Sequence, residues 1–170
     1  MRGKLAIVAI FLLAAGLTGF AWWWNFTRSY RTREFWSTGH LLAIRYPTKV
    51  EGFWLTKPMS DTETSAITFH DQRFIRGEPT ELTKAPGMMN AIDSLTKDSN
   101  YDWTKLPAAD KSTTNWQAGV VFQRPETTTT IFFNFEHCYV GCVETQKLIV
   151  LNENTAKGWR SYLERRLPKR

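Results

Sequence analysis

The side chains best suited to chemistry fall close together. In the segment EHCYVGCVE, His137 sets an imidazole beside the thiol of Cys138, and a second thiol, Cys142, follows four residues later. These are the only two cysteines in the chain. If the backbone doubles back between them, their Cα atoms come within the about 7 Å that a disulfide requires, so a small disulfide at a hairpin turn is expected. So short a ring would contribute about 2 kcal/mol or less in the chain-entropy picture. Two buried free thiols are the alternative. A thiol-redox centre with His137 as base is the sharper reading, but the spacing is not Cys-x-x-Cys and no βαβ pattern surrounds it. One histidine and two cysteines make an incomplete zinc set, and nothing in the sequence selects His40 or His70 to complete it.

The remaining chemical candidates are weaker. His70-Asp71 could orient an imidazole for acid–base work, yet no Gly-x-Ser-x-Gly, His-Glu-x-x-His or glycine-rich phosphate loop accompanies it. Met88 and Met89 sit in a helical pattern, where methionine fills gaps in a core. Asp98, Asp102 and Asp110 lie in a long polar tract without metal-loop spacing. Asn25-Phe26-Thr27 matches a glycosylation acceptor but abuts an apolar segment. No catalytic residue, cofactor site, metal ligand or small-molecule substrate is therefore assigned, and no motif ties the chain to a known family.

The elements that would carry these groups start with Leu5 to Trp24, twenty residues without a charge and with one polar side chain, Thr18. At about 1.5 Å per residue this run matches a hydrocarbon core of about 30 Å, so a transmembrane signal anchor over 1–26 is expected. Trp22, Trp23, Trp24, Phe26 and Tyr30 read as an aromatic belt at one membrane interface. Gly19-Phe20-Ala21 offers small residues for cleavage after Ala21, which would leave an exposed WWWNF terminus. Arg2 and Lys4 precede the run and Arg28, Arg31 and Arg33 follow it, so flanking charge does not orient it. The short leading tail and the cysteine pair favour a single-pass protein of the inner membrane with its domain outside the cytoplasm.

Residues 27–38 form a juxtamembrane connector, 39–168 a single domain and 169–170 the end of a basic tail. The net charge of +6 belongs to the ends, since the stretch from Glu34 to Ala156 has more acidic than basic residues. A nucleic-acid binder would spread positive charge over its fold, so that partner is excluded. Arg28, Arg31, Arg33, Arg165, Arg166, Lys169 and Arg170 could instead face anionic lipid.

Within the domain, Leu41–Tyr46 and Val50–Thr56 read as a hairpin, and 66–75 as one broken strand or two short ones. Thr83 and Pro86 open a helix over about Ala85 to Thr96. From Trp116 three runs rich in β-branched and aromatic residues form a meander, divided at Arg124-Pro125-Glu126 and at Cys138–Cys142. Ile131, Phe133, Phe135 and His137 point to a buried face, with Phe132, Asn134 and Glu136 on a mixed one. A helix from Thr155 to Leu167 docks Trp159, Tyr162 and Leu163 on the sheet.

The expected architecture is α+β: one transmembrane helix, then a two-layer domain with an antiparallel sheet of about five or six strands and two covering helices. The expected function is a membrane-tethered, non-catalytic interaction or assembly module of the bacterial cell envelope, whose partners are the lipid bilayer and another envelope protein. Two alternatives stand beside it: an envelope enzyme of hydrolytic or thiol-redox type centred on His137, Cys138 and Cys142, and a cytoplasmic-facing domain with a basic tail on anionic lipid.

Overall fold

The computed structural model describes residues 2–27, 29–57, 66–105 and 115–169. Arg28, Asp110, Arg170 and the polar stretch 58–65 lie outside the described residues, as does the side chain of Phe26.

The first helix, α1 (Arg2–Thr27), is exposed at every position from 10 to 24. It does not bear out the expected transmembrane span: among the described residues no helix is long and apolar enough to cross a membrane. The run of exposed side chains, 10–24, is interrupted by Gly16, Thr18 and Gly19. Its last turn is three tryptophans, whose indole N–H groups seek water or headgroups.

Two short helices follow, α2 (Tyr30–Trp36) and α3 (Thr38–Arg45). The expected strand Leu41–Tyr46 is therefore helical. TGHLLAIR buries Leu41 and Ile44 at i,i+3 spacing and leaves Leu42 outside, a pattern that a six-residue apolar window hides. Pro47 closes a helix-to-strand connection rather than a hairpin.

The strands are β1 (Lys49–Thr56), β2 (Ala66–Phe69), β3 (Gln72–Arg76), β4 (Thr80–Glu81), β5 (Ala118–Arg124), β6 (Thr127–Asn134), β7 (Tyr139–Cys142) and β8 (Lys147–Val150). All pairings are antiparallel, in the order β2-β3-β1-β5-β6-β7-β8, with β4 also on β1. The sheet thus exceeds the five or six strands expected. β1 is the hinge of its curl: Lys49 to Trp54 pair with β5, whereas Leu55 and Thr56 pair with Arg76 and Ile75 of β3.

That curl swings the β2–β3 hairpin over the face of β5 and β6 that was expected to be mixed. Phe69 and Phe74 both pack edge-on against Phe132, and Phe53, Leu55, Trp116 and Val121 complete a second core there. The opposite face carries Val120, Phe122, Ile131 and Phe133 under the helices α4 (Met88–Leu95) and α5 (Glu153–Arg166). Asn152 caps α5 by accepting from the Thr155 N–H at 2.8 Å. Thr83 does not cap α4; its hydroxyl accepts from Val50 N–H at 2.9 Å, and Gly87, at φ +87°, precedes the helix.

The segment between the cysteines is a strand rather than a turn. The chain reverses at 135–138 and again at 143–146, so Cys138 ends one turn and Cys142 ends the strand before the next. Four extended steps separate their Cα atoms by about 13 Å, well beyond the about 7 Å a disulfide allows. The expected disulfide is accordingly absent, and both thiols are free.

Candidate functional site

Alternation along β7 sends Cys142 to the helix-covered face, and the turn at 143–146 brings the Glu144 carboxylate beside it. β6 runs alongside with Ile131 opposite Cys142, so Thr129 stands on the same face one step away. Helix α3 lies across this corner and lowers His40 into it. A ring nitrogen of His40, Cys142 Sγ and a carboxylate oxygen of Glu144 all lie within 4.8 Å of one another. Cys142 is buried, His40 half-buried and Glu144 exposed.

Each group is held. His40 Nδ1 is 2.9 Å from Thr129 Oγ1, and the carboxylate of Glu144 accepts from the Thr130 N–H at 2.8 and 2.9 Å. Cys142 Sγ donates to Glu144 Oε2 at 3.5 Å. The turn that carries Glu144 is itself fixed: Gln146 donates to Val143 O at 2.6 Å and accepts from the His70 N–H at 2.9 Å. Burial pushes the Cys142 thiol up. A free thiol held protonated in this way is a poor nucleophile.

The opposite end of β7 carries the groups that sequence reading placed at the centre of a thiol enzyme. His137 is exposed on the 135–138 turn, where its N–H donates to Asn134 Oδ1 at 2.7 Å. Cys138 adopts φ +56° and borders an open cleft of about 760 Å³ lined also by Asp102, Lys105, Glu153 and Lys157. Burial raises its thiol, and the charge of Glu153 adds to that. The strand therefore separates Cys142 from His137 and Cys138, and the three do not form one centre. His70 and Asp71 occupy a two-residue turn at φ +47° and +63°, joining β2 to β3. Their adjacency serves the hairpin, since both residues must adopt the left-handed conformation there.

The connector is bound to the domain at both ends. Asp98 supplies an N-cap from a distant segment: its carboxylate accepts from the N–H groups of Arg31 at 3.1 Å and Thr32 at 2.8 Å, and from the Thr32 hydroxyl. Lys147 donates to the carbonyls of Glu34 and Phe35 at 3.2 and 3.3 Å. Between these ties Trp36 is fully buried, its indole donating to Leu95 O and Tyr101 Oη. Arg31 extends over the Trp103 ring at 6.0 Å. Burial raises the Tyr101 hydroxyl far above its usual value, so it stays a donor to Leu95 O.

The residues expected to meet lipid are spread over the structure. Trp22, Trp23 and Trp24 are 69%, 54% and 47% exposed, and Tyr30 and Arg33 are exposed at the head end of the same run. Arg165 and Arg166 sit at the end of α5, where they donate to Ser161 O and Pro86 O, and Lys169 is exposed beyond them. Because α5 docks its apolar side on the sheet, its basic residues lie on the outer side of a packed helix.

Sequence reading named Cys142 and named His40 only as a conceivable extra ligand, and it missed Glu144 and Thr129. The one local signal was Cys-x-Glu, two donor side chains close together where an extended run ends. No protein-family model, curated protein or solved structure matches this chain.

Proposed function

We propose that the chain is a non-catalytic interaction or assembly module of a cell envelope, held at lipid by α1. The observation that supports this is the surface of that helix. Ile10, Phe11, Leu12, Leu13, Leu17 and Phe20 are 58% to 72% exposed and occur on every side of it. A groove on a protein covers one stripe of a helix, whereas lipid surrounds it, so an all-round apolar helix is matched to lipid. Tryptophans at its head-proximal end suit the interface, where an indole is half in hydrocarbon and half in water. The proposal asks only that α1 be immersed, not that it cross. The mixed-charge cleft beside Cys138 then supplies a surface at which the head meets an envelope partner.

Vesicle co-flotation of the full chain tests this. Wild-type protein should rise with the vesicles, while Leu13→Asp/Leu17→Asp should stay behind, because each carboxylate in hydrocarbon costs about 3 kcal/mol, or about a hundredfold in partitioning. Leu13 and Leu17 are 67% and 62% exposed, so the folding of the head serves as the control. Equal flotation of both proteins, or a wild-type chain that stays behind as a soluble assembly, would refute the proposal.

A further inference from the structure

The geometry points to a zinc-class divalent cation site formed by His40, Cys142 and Glu144, with one coordination position open to solvent. This inference is independent of the lipid reading.

The donor set selects the ion. Imidazole, thiolate and carboxylate together are the ligands of zinc and its spectroscopic substitute cobalt, whereas calcium and magnesium take oxygen alone. The spacing also fits. Metal–ligand bonds of about 2.0 to 2.3 Å in a tetrahedron set donors about 3.3 to 3.6 Å apart. Cys142 Sγ and Glu144 Oε2 already stand at 3.5 Å, and no pair in the trio is beyond 4.8 Å. The closure needed is therefore about 1 Å, within reach of a half-exposed histidine and an exposed glutamate by side-chain rotation.

The histidine is also prepared for the role. One arrangement satisfies both contacts of the Thr129 hydroxyl: it donates to His40 O at 3.5 Å and accepts from His40 Nδ1–H at 2.9 Å. That assigns the ring hydrogen to Nδ1 and leaves the Nε2 lone pair for a cation, the arrangement by which an outer partner orients a ligating imidazole. Thr129 is fully buried, which makes this support rigid. On binding, Cys142 gives up its thiol proton to solvent, and the metal–sulfur bond replaces the hydrogen bond to Glu144. Three protein donors leave a fourth position on the Glu144 side for water or a partner's side chain.

The test is a Co²⁺ titration of the reduced, purified full chain. The expected result is one equivalent per chain, with a thiolate-to-cobalt charge-transfer band that Zn²⁺ abolishes by displacement. Cys142→Ser should lose the band and Cys138→Ser should keep it. His40→Gln and Glu144→Gln should each weaken binding by about 100-fold, and Thr129→Val by about 10–100-fold. If Cys142→Ser fails to fold, the two variants at the less buried positions carry the test, with circular dichroism confirming their fold. Absence of the band in the wild type, its loss in Cys138→Ser, or unchanged affinity in both His40→Gln and Glu144→Gln would overturn the assignment.

Discussion

Trp36 offers the sharpest test of whether the connector is part of the fold. A helix of seven residues such as α2 is unstable alone, because its few hydrogen bonds do not offset the ordering of its backbone. It must therefore draw its stability from the head. Trp36 is fully buried in the main core, so Trp36→Ala should cost about 3–5 kcal/mol through lost burial and the cavity left behind. Trp36→Phe should cost less. Leu95 O keeps the Tyr101 hydroxyl at 2.7 Å, so no buried carbonyl is orphaned. What is lost is one hydrogen bond, about 1 kcal/mol, and part of a ring. At about 2–4 °C per kcal/mol for a domain of this size, the Ala variant should melt about 6–20 °C lower. Urea unfolding of the full chain in mild detergent, followed by far-UV circular dichroism, should show a lower midpoint with an unchanged slope, the signature of lost native packing. A loss below about 1 kcal/mol for Trp36→Ala would mean that α2 is a tether and that the ties at Asp98 and Lys147 are incidental.

Ser37, at φ +63° and ψ +163°, occupies a region that only glycine enters freely, so Ser37→Gly should raise stability by about 0.5–2 kcal/mol in the same assay, and a loss would refute the strain. Gly141→Ala should lower it by about 1–3 kcal/mol, because the new methyl would lie 2.4 Å from the ring of fully buried Phe69; a neutral result would show that the hairpin above β7 yields. Lys49, then Arg76, hydrogen-bond the Glu51 carboxylate and hold it below its usual range. Its stabilisation is therefore complete above the unfolded value of about 4.3 and lost as pH falls through the depressed native one, so Glu51→Gln should flatten the acid limb of the stability curve, and parallel curves would refute this.

What the sequence revealed depended on how far each signal reached along the chain. β5 and β6 were legible because GVVF and TTTTIFF are long, β-branched and aromatic. α5 was legible because Trp159, Tyr162 and Leu163 recur at helical spacing. β7 was not: YVGC is four residues with one β-branched member, and it is a strand only because β6 and β8 pair with both its edges. The α+β content agrees with the sequence reading, but the mixed face of β6 became a second core through a curl that no local pattern records. The candidate cation site failed for the same reason. Cys142 and Glu144 are neighbours in sequence, whereas His40 precedes them by about a hundred residues and reaches them through the turn at Ser37 that aims α3 across the sheet.

That turn links the two ends of the functional argument. From Ser29 to His40 the chain is tied down: Asp98 holds the start of α2, Lys147 its end, and Ser37 passes directly into the helix that carries His40. Only one residue stands between Thr27 and Ser29, and two steps of backbone span at most about 7 Å. If α1 lies in lipid, the head is not a body on a flexible leash. The surface around Arg31, Phe35, Trp103 and Lys147 is then held within a few side-chain lengths of the headgroups. Lengthening the chain at position 28 would free the head while leaving both the apolar helix and the cation corner intact, which separates attachment at lipid from placement of the head.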